Sequence, residues 1–285
     1  MLGLNRNPAE FIRGEDQNDF INFLNAQTNF PLFATLVDGF PIAPMHVNRD
    51  EHIRHFDRIL LIEPLGHGKT SLESILRPIW LLGQDANRRI KIVTSTDSKA
   101  RDILFCINNL IERPSAELIA IFPNLQLDSK GAWNGKKLIV KRAKGVKDAS
   151  IEAVGILSPP IDSRADYLIF DDILDFNNTI LPGLQKLIHQ NFFNVYLPLL
   201  EPGGHVTFIT SVWTNNDLIA ELEQKEKWKT LRQVIPTDFT PLWPQKWSRE
   251  DLLQRYAEVG QQEFDRAYRA IPLPAKAGGL HARML

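Results

Sequence analysis

The glycine-rich segment Glu63–Ser71 constrains the fold of this chain more than any other part of its sequence. It follows the continuous apolar run Arg58–Glu63 (RILLIE), which predicts a buried strand. The residues from Thr70 to Leu76 predict the start of a helix that bends or ends near Pro78. A glycine-rich turn between strand and helix exposes backbone N–H groups, and the helix N-terminus adds partial positive charge. The segment therefore predicts a phosphate-binding loop, the Walker A arrangement.

The loop has predicted roles in holding a nucleoside triphosphate and Mg²⁺. Gly66 and Gly68 let the backbone N–H groups face the phosphates. Lys69 reaches the β- and γ-phosphates, and the hydroxyl of Thr70 ligates Mg²⁺. The residues predicted to bind the nucleotide are Pro64, Leu65, Gly66, His67, Gly68, Lys69, Thr70 and Ser71.

Glu63 and His67 are the two unusual residues of this segment. Glu63 stands where the standard pattern has glycine, although the Gly-Lys-Thr end that performs the chemistry is intact. We expect His67 to face solvent as a filler of the loop. The alternative interpretation is an ordinary strand-to-helix turn with an incidental lysine. Residues 40–55 hold no glutamine motif that would identify an adenine pocket.

A second signal is the apolar run Tyr167–Phe170, which ends in the carboxylates Asp171 and Asp172. This is the Walker B arrangement, about 100 residues after the phosphate loop. Asp171 is predicted to hold Mg²⁺, directly or through water, because Mg²⁺ prefers carboxylate and water oxygens. Asp172 is predicted to orient and polarise the attacking water. Alternatively, the pair ends the strand as turn or cap residues.

The strand predicted at His205–Thr210 ends in short hydroxyl residues. Thr210 or Ser211 is therefore predicted to hydrogen-bond a phosphate oxygen or the lytic water. The local sequence fits equally well with turn chemistry before a capped helix over Asp217–Glu226, with Asn215 or Asn216 as its cap.

Strands alternate with helices along the chain, which predicts a mostly parallel sheet covered on both faces by helices. The predicted fold class is α/β, a P-loop NTPase. We divide the sequence into an N-terminal helical or irregular segment (1–45, with Pro-rich residues 31–45 irregular), an ATPase domain (46–271) and the start of a linker (272–285).

Composition limits the partners and the compartment. The net charge of -1 over 285 residues gives no global field toward nucleic acid, so any DNA contact must come from a local patch. The single cysteine, Cys106, lies in an apolar run and is predicted to be buried; it excludes a disulfide framework. The N-terminus lacks the apolar run of a signal peptide, and no apolar stretch is long enough for a membrane span. We therefore expect an intracellular protein without a membrane association.

Several segments together resemble phage terminase large subunits. They are RILLIEPLGHGKTSLES, SRADYLIFDD, TSVWTNNDL and the stretch from Pro241 to Leu280, with its Leu-Trp-Pro, helix, Phe near Tyr, Pro pair and Gly. The resemblance runs from about residue 50 to about residue 280. The last segment discriminates best, because general P-loop ATPases have no reason to carry it.

The resemblance implies an ATPase of the additional-strand class that uses ATP and Mg²⁺ to drive double-stranded DNA into a procapsid. It implies a homo-oligomeric ring on the portal protein, a small terminase subunit as partner, and the cytoplasm of the infected bacterial host. Family members also carry a C-terminal nuclease. This sequence stops at Leu285, about where that domain would begin, so we expect no DNA cleavage by this polypeptide.

Basic residues supply two further predictions. The family often has an arginine inside the phosphate loop, which this chain lacks, so Arg164 is predicted to act as an arginine finger on a neighbouring subunit's nucleotide. A salt bridge in its own loop is the alternative. Residues 130–147 carry basic side chains and no acid, and they are predicted to contact DNA phosphates without reading bases. The side chains concerned are Lys136, Lys137, Lys141, Arg142 and Lys144, with a solvated hairpin face as the alternative.

Two other function classes remain open from the sequence. One is a degenerate P-loop module that binds nucleotide or assists assembly without turnover. The other is a P-loop phosphotransferase, although that class normally shows the first loop glycine and an Arg-rich lid.

Overall fold

A computed structural model describes residues 16–129, 134–158 and 163–274. The predicted segments at residues 1–15 and 275–285, and Lys130 of the basic run, lie outside these residues. The described helices are α1 Asp16–Ala26, α2 Phe30–Asp38, α3 Pro44–His55, α4 Arg77–Gln84, α5 Asp97–Glu112, α6 Ala116–Ile121, α7 Phe176–Ile180, α8 Pro182–Gln190, α9 Leu218–Glu223, α10 Arg249–Val259 and α11 Gln261–Arg269. The described strands are β1 Arg58–Ile62, β2 Ile90–Thr94, β3 Lys137–Leu138, β4 Ile151–Gly155, β5 Ala165–Asp171, β6 Leu200–Thr210 and β7 Lys229–Arg232.

The strands form one sheet in the order β3-β4-β2-β5-β6-β1-β7. Every neighbouring pair is parallel except β3 with β4, which is antiparallel. The predicted mostly parallel sheet is therefore confirmed. Strand β6 lies between β1 and β5, so the two strands that carry the Walker motifs are separated by one strand.

Helices cover both faces of the sheet and pack against its apolar side chains. Along β5, Ile169 packs with α2, α4, α5 and α6, whereas Leu168 and Phe170 pack on the other face with α8 and α9. Successive residues of a strand point to opposite faces, so a strand buried on both sides is apolar throughout. This explains why Tyr167–Phe170 has no polar alternation.

The helix after the phosphate loop continues past the position where the sequence predicts a bend or an end. It begins with a π-helical turn, Thr70–Leu76, and passes directly into α4. Pro78 is the second residue of α4 and follows the π-helical turn directly, so the helix accommodates the proline beside a break in its regular hydrogen bonding.

Three local predictions are wrong. Residues 31–45 are irregular only at 39–43, because Pro31 occupies the first turn of α2, which the side chain of Asn29 caps, and Pro44 begins α3. Cys106 is exposed, because it lies on the outer side of α5. Asp217, not Asn215 or Asn216, caps α9: its carboxylate accepts hydrogen bonds from the N–H groups of residues 219 and 220.

No helix within the three described ranges combines the length and the apolar character needed to cross a membrane.

Candidate nucleotide site

The predicted site residues meet at one edge of the sheet. The phosphate loop follows β1, Asp171 ends β5 and Ser211 follows β6. These three strands are adjacent and parallel, so their carboxyl ends meet at the same edge, where ligands of open α/β sheets bind. The structure therefore brings together every predicted site residue except Arg164.

The loop turns at Gly66 (φ 72°) and Gly68 (φ 75°), both in the left-handed region that favours glycine. The surroundings require glycine as well. A Cβ on Gly68 would lie 2.6 Å from Cζ of Phe40, and one on Gly66 would lie 3.1 Å from Cζ2 of Trp247. The rings of Phe40, before the loop, and Trp247, far after it, thus pack against the loop. Leu65, Gly66 and Ser71 are exposed.

Lys69 is folded back into its own loop. Its Nζ donates to the carbonyl oxygens of Glu63 (3.0 Å) and Pro64 (2.9 Å), and the residue is buried. Nucleotide phosphates would compete with these two carbonyls for the ammonium group.

Thr70 and Asp171 lie in contact, as the Walker pairing predicts. The hydroxyl of Thr70 donates to Oδ1 of Asp171 (3.1 Å), and the hydroxyl of Ser74 donates to Oδ2 (2.6 Å). Burial, followed by the neighbouring carboxylate of Asp172, raises the pKa of Asp171 to about 6. A buried carboxylate beside a hydroxyl offers the hard oxygen ligands that Mg²⁺ prefers, so these residues fit the ion.

Asp172 is held in an unusual conformation at the end of β5. Its φ of 45° is rare for a residue with a side chain, and such backbone strain often occurs at functional sites. Its Oδ1 accepts a hydrogen bond from the backbone N–H of Ser211 (3.2 Å), and its own N–H donates to the carbonyl of Ile209 (3.0 Å). The Asp172 carboxylate is thereby joined to the strand end that carries Ser211.

The partners of Glu63 were not predicted from the sequence. The Glu63 carboxylate is fully buried and paired on both oxygens with Arg49 of α3, and it also accepts from Nε2 of Gln233 (2.9 Å). Arg49 additionally donates to the carbonyl of His67 (3.1 Å). The pair holds the pKa of Glu63 below its usual range against the opposing effect of burial. An acid at the end of a buried strand signals that a cation must lie nearby.

Contrary to the sequence prediction, His67 does not face solvent. It is fully buried, because its ring stacks on Trp247 with centroids 5.8 Å apart and an interplanar angle of 7°. Its Nδ1 donates to the carbonyl of Leu65 (2.8 Å), which leaves Nε2 without a hydrogen-bond partner. Burial lowers the pKa of His67 to about 4, and nearby Lys69 acts in the same direction.

Arg164 is not part of the site in its own subunit. It precedes β5, at the edge of the sheet opposite Asp171, and seven strand residues separate the two edges by roughly 20 Å. Its Nη1 donates to the carbonyl of Pro198 (3.1 Å), and its Nε lies 3.9 Å from Oε1 of Glu201. The side chain is 61% exposed, so a neighbouring molecule can reach it.

The basic run is partly neutralised. Lys136 pairs with Asp97 (2.9 Å) and Lys137 with Glu152 (3.2 Å). Lys141 donates to Gln126, and Arg142 donates to backbone carbonyls. Within the described ranges, Lys144 is exposed and makes no ion pair.

No protein-family model matches the chain. A curated relative, the terminase large subunit of Enterobacteria phage T3, is 27% identical over 196 residues, which are 66% of this chain and 30% of that protein. The chain thus spans less than a third of the length of that relative.

Two solved structures have a similar fold. The large terminase ATPase domain of Thermus phage P74-26 matches with a TM-score of 0.54 and 18% identity, over 84% of this chain and 96% of that chain. The large terminase of a thermophilic bacteriophage matches with a TM-score of 0.50 and 11% identity, over 77% and 49% of the two chains. At these identities the matches show a shared fold. The P-loop fold and the resemblance to phage terminase large subunits, both predicted from the sequence, are confirmed.

Proposed function

We propose that this chain is the ATP-hydrolysing motor part of a phage terminase large subunit, which drives double-stranded DNA into the procapsid. The observation that carries the proposal is the meeting of Lys69, Thr70 with Asp171, and Asp172 with Ser211 at one sheet edge. The similarity to terminase ATPase domains supports it further.

The residues have separate tasks in this proposal. Lys69 leaves its carbonyl partners and binds the β- and γ-phosphates. Thr70 and Asp171 hold Mg²⁺, which when bound supplies positive charge against the phosphates. Asp172 accepts a proton from, or orients, the attacking water. Its link to the N–H of Ser211 makes β6 the strand that senses whether the γ-phosphate is present.

In this proposal a neighbouring subunit supplies a further cation to the site. Arg164 is exposed at the far edge of the sheet, which suits a residue that acts on a neighbouring subunit's nucleotide in a ring. We therefore keep Arg164 as the proposed arginine finger and expect the isolated chain to hydrolyse ATP slowly.

The proposed partners are those of a packaging motor in the cytoplasm of the infected host: the portal protein, a small terminase subunit and double-stranded DNA. For the DNA contact we favour Lys144 over Lys136 and Lys137, because the latter two already pair with carboxylates. Such contacts to phosphates are independent of base sequence.

The test is Mg-ATP hydrolysis by the purified chain with and without double-stranded DNA. Lys69→Ala and Asp172→Asn should each reduce turnover by at least about a hundredfold, the order expected for loss of a transition-state contact or an acid–base group. Asp172→Asn should still bind ATP. The matched controls are Lys227→Ala and Asp102→Asn, which change exposed side chains outside the site.

Other outcomes would assign another function class. Nucleotide binding without turnover, unchanged by Asp172→Asn even when the chain is assembled on the portal, would indicate a binding or assembly module. Transfer of the phosphoryl group to a small acceptor rather than to water would indicate a phosphotransferase.

A further inference from the structure

A groove lies along α10, and one residue of its wall, Trp247, contacts the phosphate loop. It has a volume of about 270 Å³ and lies between the start of α10 and the turn before it. Its lining residues are Lys246, Trp247, Asp251, Gln254, Arg255 and Glu258. The lining thus offers one aromatic ring, an amide, two cations and two carboxylates.

The ring of Trp247 is fixed relative to the phosphate loop. Its Nε1 donates to the carbonyl of Gly66 (3.4 Å), and its ring lies parallel to that of His67. The backbone N–H of Leu65 donates to the carbonyl of Ala267 (3.1 Å), which joins the loop to α11 as well. Trp247 therefore both lines the groove and contacts the phosphate loop.

We propose that this groove receives the purine base of the nucleotide whose phosphates occupy the loop. The inference deepens the proposed function and rests on it. Indole rings stack on nucleobases, and Trp247 touches the glycine at which the loop turns toward the phosphates. A volume just below the usual range of ligand pockets suits a base with its ribose. At the wall of the groove, the Gln254 amide nitrogen donates to Glu258 (3.0 Å) and Oδ2 of Asp251 accepts from Ser248, which leaves Oε1 of Gln254 and Oδ1 of Asp251 as the acceptors for the base.

The other groups near the loop are already occupied. Phe40 and Trp243 stack on each other with centroids 5.0 Å apart and are 7% and 4% exposed, so no base can enter between them. Gln233 is committed to Glu63 and to the carbonyl of Met45. Among the rings that contact the loop in the described part of the chain, Trp247 is the one that is partly exposed.

The experiment compares the binding of ATP and of inorganic tripolyphosphate by calorimetry. Trp247→Ala should raise the Kd for ATP by about tenfold or more, the loss expected for one base–aromatic stack, and leave the Kd for tripolyphosphate unchanged. Trp247→Phe should restore most of the affinity for ATP. The control is Phe105→Ala, which removes an exposed ring on α5 and should change neither value.

A second variant does not disturb the contact with Gly66. Gln254→Trp fills the groove from an exposed helix position. It should raise the Kd for ATP and leave the Kd for tripolyphosphate unchanged. Glu250→Trp, on the same helix but outside the groove, is its control.

The inference is overturned if Trp247→Ala weakens the binding of ATP and the binding of tripolyphosphate equally, because the ring would then only support the loop. It is also overturned if neither Trp247→Ala nor Gln254→Trp changes ATP binding. A wild-type chain that binds ATP but fails these tests leaves the proposed function intact. One that binds neither ligand overturns both.

Discussion

Glu63 shows how one residue changes the energetics of the phosphate loop. A glycine at this position would need no partner, whereas the buried carboxylate requires Arg49 and Gln233. Removing one member of a buried ion pair leaves an uncompensated charge in a medium that solvates it poorly.

We therefore expect Glu63→Gln to lower the free energy of unfolding by about 3–5 kcal/mol. Urea denaturation measures this value. Glu223→Gln breaks the exposed pair with Arg232 (2.7 Å) and should cost less than about 1 kcal/mol. Equal losses in the two variants would contradict the structural role of Glu63.

Asp171 gives a prediction about pH. Its pKa is raised to about 6, so its carboxylate is mostly ionised at pH 7.5 and mostly protonated at pH 5. Only the ionised form can ligate Mg²⁺. The Mg²⁺ concentration that half-saturates ATP binding should therefore increase as the pH falls through about 6.

The measurement is a Mg²⁺ titration at both pH values. Asp171→Asn is the control, because it should bind Mg²⁺ weakly and without this pH dependence. A wild-type Mg²⁺ affinity that is the same at pH 7.5 and pH 5 would count against Asp171 as a ligand.

The candidate site residues that the structure brings together were predicted from the sequence, whereas the residues that support them were not. Lys69, Thr70 and Asp171 belong to short motifs whose spacing is set by one strand and one helix. Arg49 and Trp247 reach the loop from distant parts of the chain, and no local pattern encodes such a contact. The burial of His67 was missed for the same reason, since Trp247 covers it.

At the scale of elements, the turn into the π-helical segment depends on the space at Gly68. Alanine there must adopt a φ of 75° and also displace the ring of Phe40. Gly203 has nearly the same φ, 76°, but open space around it. Comparing alanine at Gly68 with alanine at Gly203 therefore isolates the cost of the clash with Phe40 from the cost of the backbone strain, which both variants share.

We expect Gly68→Ala to destabilise the protein by about 1–3 kcal/mol more than Gly203→Ala, the usual cost of overpacking. Thermal and urea unfolding of the two variants test this. Phe40→Leu in the Gly68→Ala background should recover part of the difference. Equal destabilisation by the two alanine substitutions would show that the Phe40 ring moves aside without a loss of stability.

Strands and long helices were predicted well, and boundaries less well. The continuous apolar runs of β1 and β5 follow directly from burial on both faces of the sheet. The prolines of residues 31–45 favoured an irregular segment, but Pro31 and Pro44 both lie in first helical turns. Composition alone does not show where in a helix a proline falls.

At the scale of the whole molecule, two buried histidines and one half-buried histidine dominate the response to mild acid. Burial lowers the pKa of His46, His67 and His205 from 6.5 to about 4. Between these values the unfolded chain binds more protons than the native state, so stability is lost as the pH falls from 6.5 toward 4. The raised pKa values of the Asp38, Asp171 and Asp217 carboxyl groups act in the opposite sense and offset part of this loss.

The free energy of unfolding should therefore be lower at pH 5 than at pH 7, by roughly 2 kcal/mol for each histidine. His205→Phe keeps a ring against Tyr167, where the two ring centroids lie 4.5 Å apart in the wild type. It should reduce the difference in unfolding free energy between pH 7 and pH 5 by roughly 2 kcal/mol, the contribution of one histidine. Urea denaturation at both pH values provides the measurement. An unfolding free energy that is flat between pH 5 and pH 7 would contradict it.

The two rings on the phosphate loop have a consequence for the order of events during synthesis. Phe40 precedes the loop, but Trp247 meets Gly66 across 181 residues of chain. A nascent chain that has left the ribosome only as far as β6 already contains both Walker motifs, yet lacks the residues that cover His67 and bind the Leu65 N–H. Because such long-range contacts form late, competence for nucleotide binding should arise only after α11 has emerged from the ribosome.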